Sequence, residues 1–223
     1  MKVKLNHRLE TVASCVEKNT NVIDIGCDHA LLDIYLIQNN RCNYIIASDN
    51  KIGPVNQATA NVKKYNIDKI KIKLGNGVEP IEDNIDTIII SGMGGLNIVG
   101  ILKYHTKLYK QVDTLILSPN SDAEILRKEI SNLGFHITNE KLVKENNIVY
   151  QVIVFKRGKK HYTRAKLLFG PILINNKSEL FMEYIKNNKQ AKETLLKILP
   201  KKYYRKRFRL KKDIKLINKL LDI

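Results

Sequence analysis

Two aspartates sit where alternating strands and helices would place ligand-binding groups. In Asn21-Val22-Ile23-Asp24-Ile25-Gly26-Cys27-Asp28-His29-Ala30 an apolar run ends in an acid, one glycine and two polar residues, and a helix-like pattern follows. A second run, Tyr44-Ile45-Ile46-Ala47-Ser48, ends in Asp49 and Asn50. Acids at the carboxyl ends of successive strands suit a nucleotide-type ligand lying across a sheet edge. Of the three glycines of a dinucleotide fingerprint only Gly26 is present, and Asp28 stands where a phosphate would lie, so a pyrophosphate is disfavoured. The acids fit a cofactor with a cationic amino end, a ribose and no phosphate, which is the chemistry of S-adenosylmethionine. Asp24 or Asp28 would attract the ammonium, and Asp49 would accept from the ribose hydroxyls. The competing explanation is that Asp24 and Asp49 only cap the helices that follow.

Three more strand ends carry small or amide residues: Gly75-Asn76-Gly77, Ser91-Gly92-Met93-Gly94-Gly95 and Ser118-Pro119-Asn120. Asn76 has the donor and acceptor to read an adenine edge, with Gly77 beside it. Gly92, Met93 and Gly94 belong to a loop with little side-chain bulk, open to cofactor and substrate base. Asn120 would hold an exocyclic amine of the substrate; turn chemistry alone explains it equally well. His29 either orients a cofactor group or caps a helix. Asn120 and Asp28 are the candidate catalytic residues. Asp24, Gly26, Asp28, His29, Asp49, Asn50, Asn76, Gly77, Gly92, Met93 and Gly94 are the candidate cofactor contacts. No phosphate-binding loop, H-E-x-x-H or G-x-S-x-G pattern occurs. The three cysteines, Cys15, Cys27 and Cys42, are too scattered for a zinc site, so no metal is expected, and they suit a reducing compartment.

The elements that must position these residues follow from hydrophobic periodicity. A helix is expected over 7–18, then strands at Val22–Ile25, Tyr44–Ser48, Lys71–Leu74, Thr87–Ile90 and Thr114–Leu117, with helices between. Two further runs, Phe135–Val143 and Ile148–Phe155, flank the polar turn Lys144-Glu145-Asn146-Asn147 and predict an antiparallel hairpin. The result is an α/β fold with a seven-stranded, mostly parallel sheet.

The chain has 223 residues, 43% of them apolar, and a formal net charge of +17. Residues 156–223 hold 21 Lys and Arg against 5 Asp and Glu, while residues 1–155 hold 18 against 17. A charge excess confined to the tail points to a polyanionic partner. A boundary is expected after residue 157, with 158–223 forming a basic helical hairpin. Its first stripe is Phe181, Tyr184, Asn188, Ala191, Leu195 and Ile198; Pro200 stops that helix; a second stripe is Leu210, Ile214, Ile217 and Leu221. Lys201-Lys202-Tyr203-Tyr204-Arg205-Lys206-Arg207-Phe208-Arg209 mixes cations that neutralise phosphates with aromatics that either stack on unpaired bases or belong to the helix core. Arg8, Lys159, Lys160, Lys201, Lys202, Arg205, Arg207 and Arg209 are the candidate RNA contacts. A signal peptide and a membrane span are not expected, which makes a cytoplasmic monomer the working expectation.

The segment Asp24-Ile25-Gly26-Cys27-Asp28-His29-Ala30 resembles the D-x-G-x-D-H-A signature of the bacterial TrmK family, tRNA adenine-N1 methyltransferases acting at position 22. Ala47-Ser48-Asp49, Gly53-Pro54, Gly75-x-Gly77, Gly92-Met93-Gly94-Gly95 and Arg8-Leu9 match in order. The resemblance implies a class I methyltransferase (Rossmann-like) sheet, S-adenosylmethionine as methyl donor, tRNA as substrate and a C-terminal coiled-coil domain. The chain departs from the pattern at Asn76, where the family has Asp, at Asp33, where it has Pro, and at Ser118, where it has Gln. A small-molecule methyltransferase and a non-catalytic RNA-binding protein on the same scaffold are the rival readings.

Overall fold

The computed structural model describes residues 2–221, which divide into two compact units, one ending at His161 and one starting at Tyr162. The first unit runs α1 (His7–Ala13), β1 (Thr20–Ile25), α2 (Leu31–Gln38), β2 (Cys42–Asp49), α3 (Ile52–Lys64), β3 (Ile70–Leu74), β4 (Thr87–Ser91), α4 (Gly95–Tyr104), β5 (Thr114–Ser118), α5 (Ala123–Asn132), β6 (Phe135–Glu145) and β7 (Ile148–Arg157). The strands form one sheet in the order β3-β2-β1-β4-β5-β7-β6. The pairs among β1 to β5 are parallel, and β7 is antiparallel to both β5 and β6.

The central strands are apolar because they are covered on both faces. Ile23, Ile45, Ile46, Ile88–Ile90 and Leu115–Leu117 are fully buried. The edge strand β3 alternates instead, and Lys71 and Lys73 both reach Glu82, at 2.7 and 2.8 Å. Charged side chains of this kind discourage pairing with another edge. The order of strands reverses between β1 and β4. Helices on opposite sides of the sheet leave a crevice at such a point, and the loops after β1, β2 and β4 open into it.

The first helix is shorter than the expected 7–18. Asn6 caps it by accepting from the Leu9 N–H, and it closes at Ser14, whose N–H returns to the Glu10 carbonyl. Val16 stays buried although it is no longer helical. One fully buried polar cluster ties α5 to the hairpin: Arg127 donates from Nε to Glu140 at 2.7 Å and from Nη2 to Gln151 at 2.6 Å.

The second unit holds α6 (Arg164–Phe169), α7 (Pro171–Asn176), α8 (Glu179–Ile198) and α9 (Tyr204–Leu221). Ser178 caps α8 by accepting from the Phe181 N–H. Later residues of α9 meet earlier residues of α8: Arg207 donates to the Leu196 carbonyl at 2.7 Å and to that of Leu199, whereas Asp213 pairs with Lys192 at 3.3 Å. The two helices are therefore antiparallel. The stripe expected on α9 is inward-facing, with Leu210 and Ile217 buried. That on α8 is not continuous: Phe181 and Ile185 are buried, but Ala191 and Ile198 are exposed. An α-helix drifts by about 20° per heptad from a heptad-spaced row, so over the 20 residues of α8 a row chosen at one end moves off the buried side.

Candidate functional site

Every strand end that meets at the crevice has its own local device. After β1, the Gly26 and Cys27 N–H groups both donate to the Ser48 carbonyl, at 2.8 and 3.0 Å, which pins the loop to the end of β2. Gly26 has φ +79°, a conformation that favours glycine, whereas a Cβ there would meet only the flexible end of Met93, its Cε. Asp28 and Ala30 are left-handed too, at φ 51° and 54°. Strain of this kind is held only where the surroundings demand it. At the end of β2, Asp49 Oδ1 accepts from the Lys51 N–H at 2.9 Å and shapes the entry to α3. After β4, the loop is stitched to the end of β5. Asn120 donates from Nδ2 to the Gly92 carbonyl at 2.7 Å, its N–H donates to Met93, and the Gly95 N–H donates to Ser121.

These loops enclose a cleft of about 480 Å³, within the usual range of small-molecule sites, roughly 300–1,000 Å³. Asp24, Gly26, Asp28, His29, Asp49, Asn50, Gly92 and Met93 line it together. Asn76, Gly77, Gly94 and Asn120 are not among its lining residues. Asn76 is exposed and its N–H bonds Glu79; Gly77 packs near Ile101 and His105; Gly94 precedes the first turn of α4. Asn120 acts on the wall through Gly92 and Met93.

Sequence reasoning missed several lining residues, among them Ser91, Lys51, Pro54 and the apolar side chains Leu9, Leu31 and Leu32. Arg8 is the most consequential difference. Grouped by sequence with the candidate RNA contacts, it lines the cleft. Its guanidinium lies 5.4 Å above the Tyr150 ring, and its Nη1 is buried with no hydrogen-bond partner among the described residues. Gly92 lies beside it; a Cβ there would be in ordinary contact, 3.4 Å from Nη1, so the φ of +81° rather than space favours glycine. The motif Arg8-Leu9 was visible in the sequence, but not its direction.

Carboxyl groups line the floor. Asp24 is 5% exposed, and burial followed by the neighbouring Asp49 charge pushes its carboxyl up to about 7. Asp33, on α2 behind the cleft, is completely buried, and burial with the Asp24 charge holds its carboxyl well above the ordinary range. Asp28 and His29 stand at the exposed rim, 3.6 Å apart. An acid at the bottom and a guanidinium on the wall whose Nη1 has no hydrogen-bond partner among the described residues form a donor–acceptor set for a zwitterionic amino acid: the carboxylates can take an ammonium, and Arg8 a carboxylate. S-adenosylmethionine carries that amino-acid end, so the residues present fit it. Among the described residues no cluster of three or more His, Cys, Asp or Glu is placed to hold a metal ion.

The proposed RNA contacts occupy other places. Lys159 and Lys160 are exposed in the stretch after β7. Lys201, Lys202, Arg205 and Arg209 are exposed at or just after the hairpin turn. Arg207 is half-buried and uses its guanidinium to close the end of α8.

A family model described as tRNA (adenine(22)-N(1))-methyltransferase matches residues 22–219. The tRNA (adenine(22)-N(1))-methyltransferase of Bacillus subtilis (strain 168) is 31% identical over 189 residues, 81% of this chain and 79% of that protein. A Streptococcus pneumoniae protein solved in complex with S-adenosyl-L-methionine superposes with a TM-score of 0.90 at 30% identity, over 98% of this chain and 100% of the other. TrmK of M. capricolum, solved with the cofactor product S-adenosyl-homocysteine, superposes with a TM-score of 0.86 at 28% identity over 98% of both chains. A match across nearly the whole chain, on a sheet whose crevice suits the same cofactor, places this protein in the TrmK family of tRNA (adenine(22)-N(1))-methyltransferases.

Proposed function

We infer that the protein methylates N1 of adenine 22 in tRNA, using S-adenosylmethionine held in the cleft between β1, β2 and β4. The observation that carries this reading is the pairing of buried Asp24 with the unpartnered Arg8 Nη1 across one 480 Å³ cleft, in a member of this family. The bound cofactor supplies an electrophilic methyl group: N1 donates its lone pair to that carbon as the carbon–sulfur bond breaks and its electrons pass to sulfur.

The chain's own part is binding and alignment. Asp24 and Asp28 hold the ammonium, Arg8 the carboxylate, and Asp49 the ribose hydroxyls. Gly26 and Met93 define how closely the backbone approaches. Adenine N1 has a free lone pair and needs no base to activate it, so placing N1 in line with the methyl supplies most of the rate. The adenine becomes cationic as it is methylated, and Asp28 at the rim stabilises that charge. Asn120 sets the Gly92–Met93 wall against which the base lies. The target base must leave its stack, at a cost of a few kcal/mol, and the basic second unit offsets this by gripping phosphates through Lys201, Lys202, Arg205 and Arg209. Its tRNA substrate supports a cytoplasmic enzyme, and all the lining residues named above come from one chain, in keeping with a monomer.

The test is transfer of a labelled methyl group to an unmodified tRNA transcript. Incorporation is expected, together with a reverse-transcription stop at position 22, and an A22→G transcript should take up no label. Equal labelling of the A22→G transcript would overturn the assignment.

A further inference from the structure

The second unit carries aromatic side chains that its own packing does not use. The hairpin interior is filled by Phe181, Ile185, Leu210 and Ile217, all buried. At the turn, Tyr203, Tyr204 and Phe208 are 49%, 67% and 60% exposed. Tyr204, Phe208 and Lys212 are spaced by four along α9 and share its outer face, opposite Leu210 and Ile217. These rings are therefore not core residues. They lie within residues 201–212, where eight of twelve positions are Lys or Arg and none is acidic. The turn is also braced, because Arg207 ties the start of α9 to the Leu196 and Leu199 carbonyls.

We propose that this turn is a stacking platform for unpaired nucleobases of the RNA, with Tyr204 and Phe208 supplying ring faces and the surrounding cations holding the adjoining phosphates. The proposal rests on tRNA being the substrate and says which part of it the second unit recognises: loop nucleotides with open base faces, not duplex. A grip on phosphates needs cations alone and gains nothing from exposed rings. Stacking needs planar faces, and bases inside a duplex do not offer theirs. Lys212 Nζ lies 4.4 Å from the Phe208 centroid and Arg205 Cζ 5.8 Å from that of Tyr204. A cation on one face leaves the other for a base and draws phosphate to the same spot. The concentration of like charge opposes a second copy of the chain as the partner.

The chain has no tryptophan, so Phe208→Trp introduces a single reporter. Its emission in the full-length protein should be quenched by a tRNA transcript but not by a blunt RNA duplex of equal phosphate count. In the Tyr204→Ala/Phe208→Ala double variant, with an unchanged circular-dichroism spectrum, tRNA affinity should fall about tenfold or more. Its dependence on salt should stay unchanged, because no cation is lost; Tyr204→Phe/Phe208→Tyr should restore binding. Wild-type affinity in the double alanine variant, equal quenching by duplex RNA or by phosphatidylglycerol vesicles, or a wild-type dimer that the double variant abolishes would each overturn the proposal. Methyl transfer by the wild-type protein to the same transcript decides the substrate reading separately.

Discussion

At the residue scale the acids of the cleft differ in what they are for. Asp24 must be charged to attract a cationic cofactor, yet burial and Asp49 hold its carboxyl near 7. The group whose ionised form binds is therefore half-protonated around neutrality. Affinity for S-adenosylmethionine should rise as pH goes from 6 to 8 and level off above. Calorimetry of Asp24→Asn should show weak binding, lower by about 2 kcal/mol at pH 8, with the pH dependence gone. Asp33 has no such use. Neither of its carboxylate oxygens has a hydrogen-bond partner among the described residues, and its carboxyl is raised by burial and by Asp24. A carboxyl whose folded value lies above its unfolded one stabilises the fold fully below about pH 4, and that stability drains away as pH rises toward the folded value. Asp33→Leu should therefore be close to neutral at pH 4 and stabilising by about 1–3 kcal/mol at pH 8 in thermal or denaturant unfolding. The TrmK pattern has proline at this site, and position three of α2 tolerates one.

At the element scale, legibility tracked length and burial. The strands β4 and β5 were readable because burial on both faces makes them apolar, and the β6–β7 hairpin because a short polar turn separates two strand-like runs. The helices α6 and α7 were not. Each has six residues, too few to show a period, and Gly170 alone separates them, with Pro171 opening α7. Of the site, the acids and glycines at strand ends were legible, because topology sends those ends to one crevice. Asn76 and Gly77 follow β3, the edge strand, one position further out, and do not line the cleft. Arg8 was named as a candidate RNA contact and not as a cleft residue, because a lone cation in a sequence carries no direction. Arg127 was invisible for a related reason, since nothing in its helix marks it as buried. Its cluster with Glu140 and Gln151 makes an element-scale prediction. Arg127→Met leaves a buried carboxylate uncompensated and should cost about 3–5 kcal/mol, whereas Arg127→Met with Glu140→Leu and Gln151→Leu should recover most of that loss. Urea midpoints of the single and triple variants check it, and an equally destabilised triple variant would refute it.

At the scale of the whole molecule, charge and chemistry are divided between two units. Residues 1–155 are nearly balanced and contain all the lining of the cleft; the tail from residue 156 holds 21 of the 39 Lys and Arg. Each phosphate neutralised releases counterions, so the tail should make tRNA affinity steeply salt-dependent, with log K falling linearly against log salt. The cofactor site should not share that dependence, since its charges are set in a cleft rather than along a surface. The first unit has its own buried core around a seven-stranded sheet. Residues 1–161 alone should therefore fold and bind S-adenosylmethionine with affinity within about threefold of the full chain, a difference under about 0.7 kcal/mol. Their tRNA affinity should fall by orders of magnitude and lose most of its salt slope. Calorimetry with the cofactor and filter binding with tRNA at several salt concentrations separate the two. If the truncated protein keeps the full salt slope, phosphate recognition lies in the first unit, and the charge of the tail serves something other than RNA.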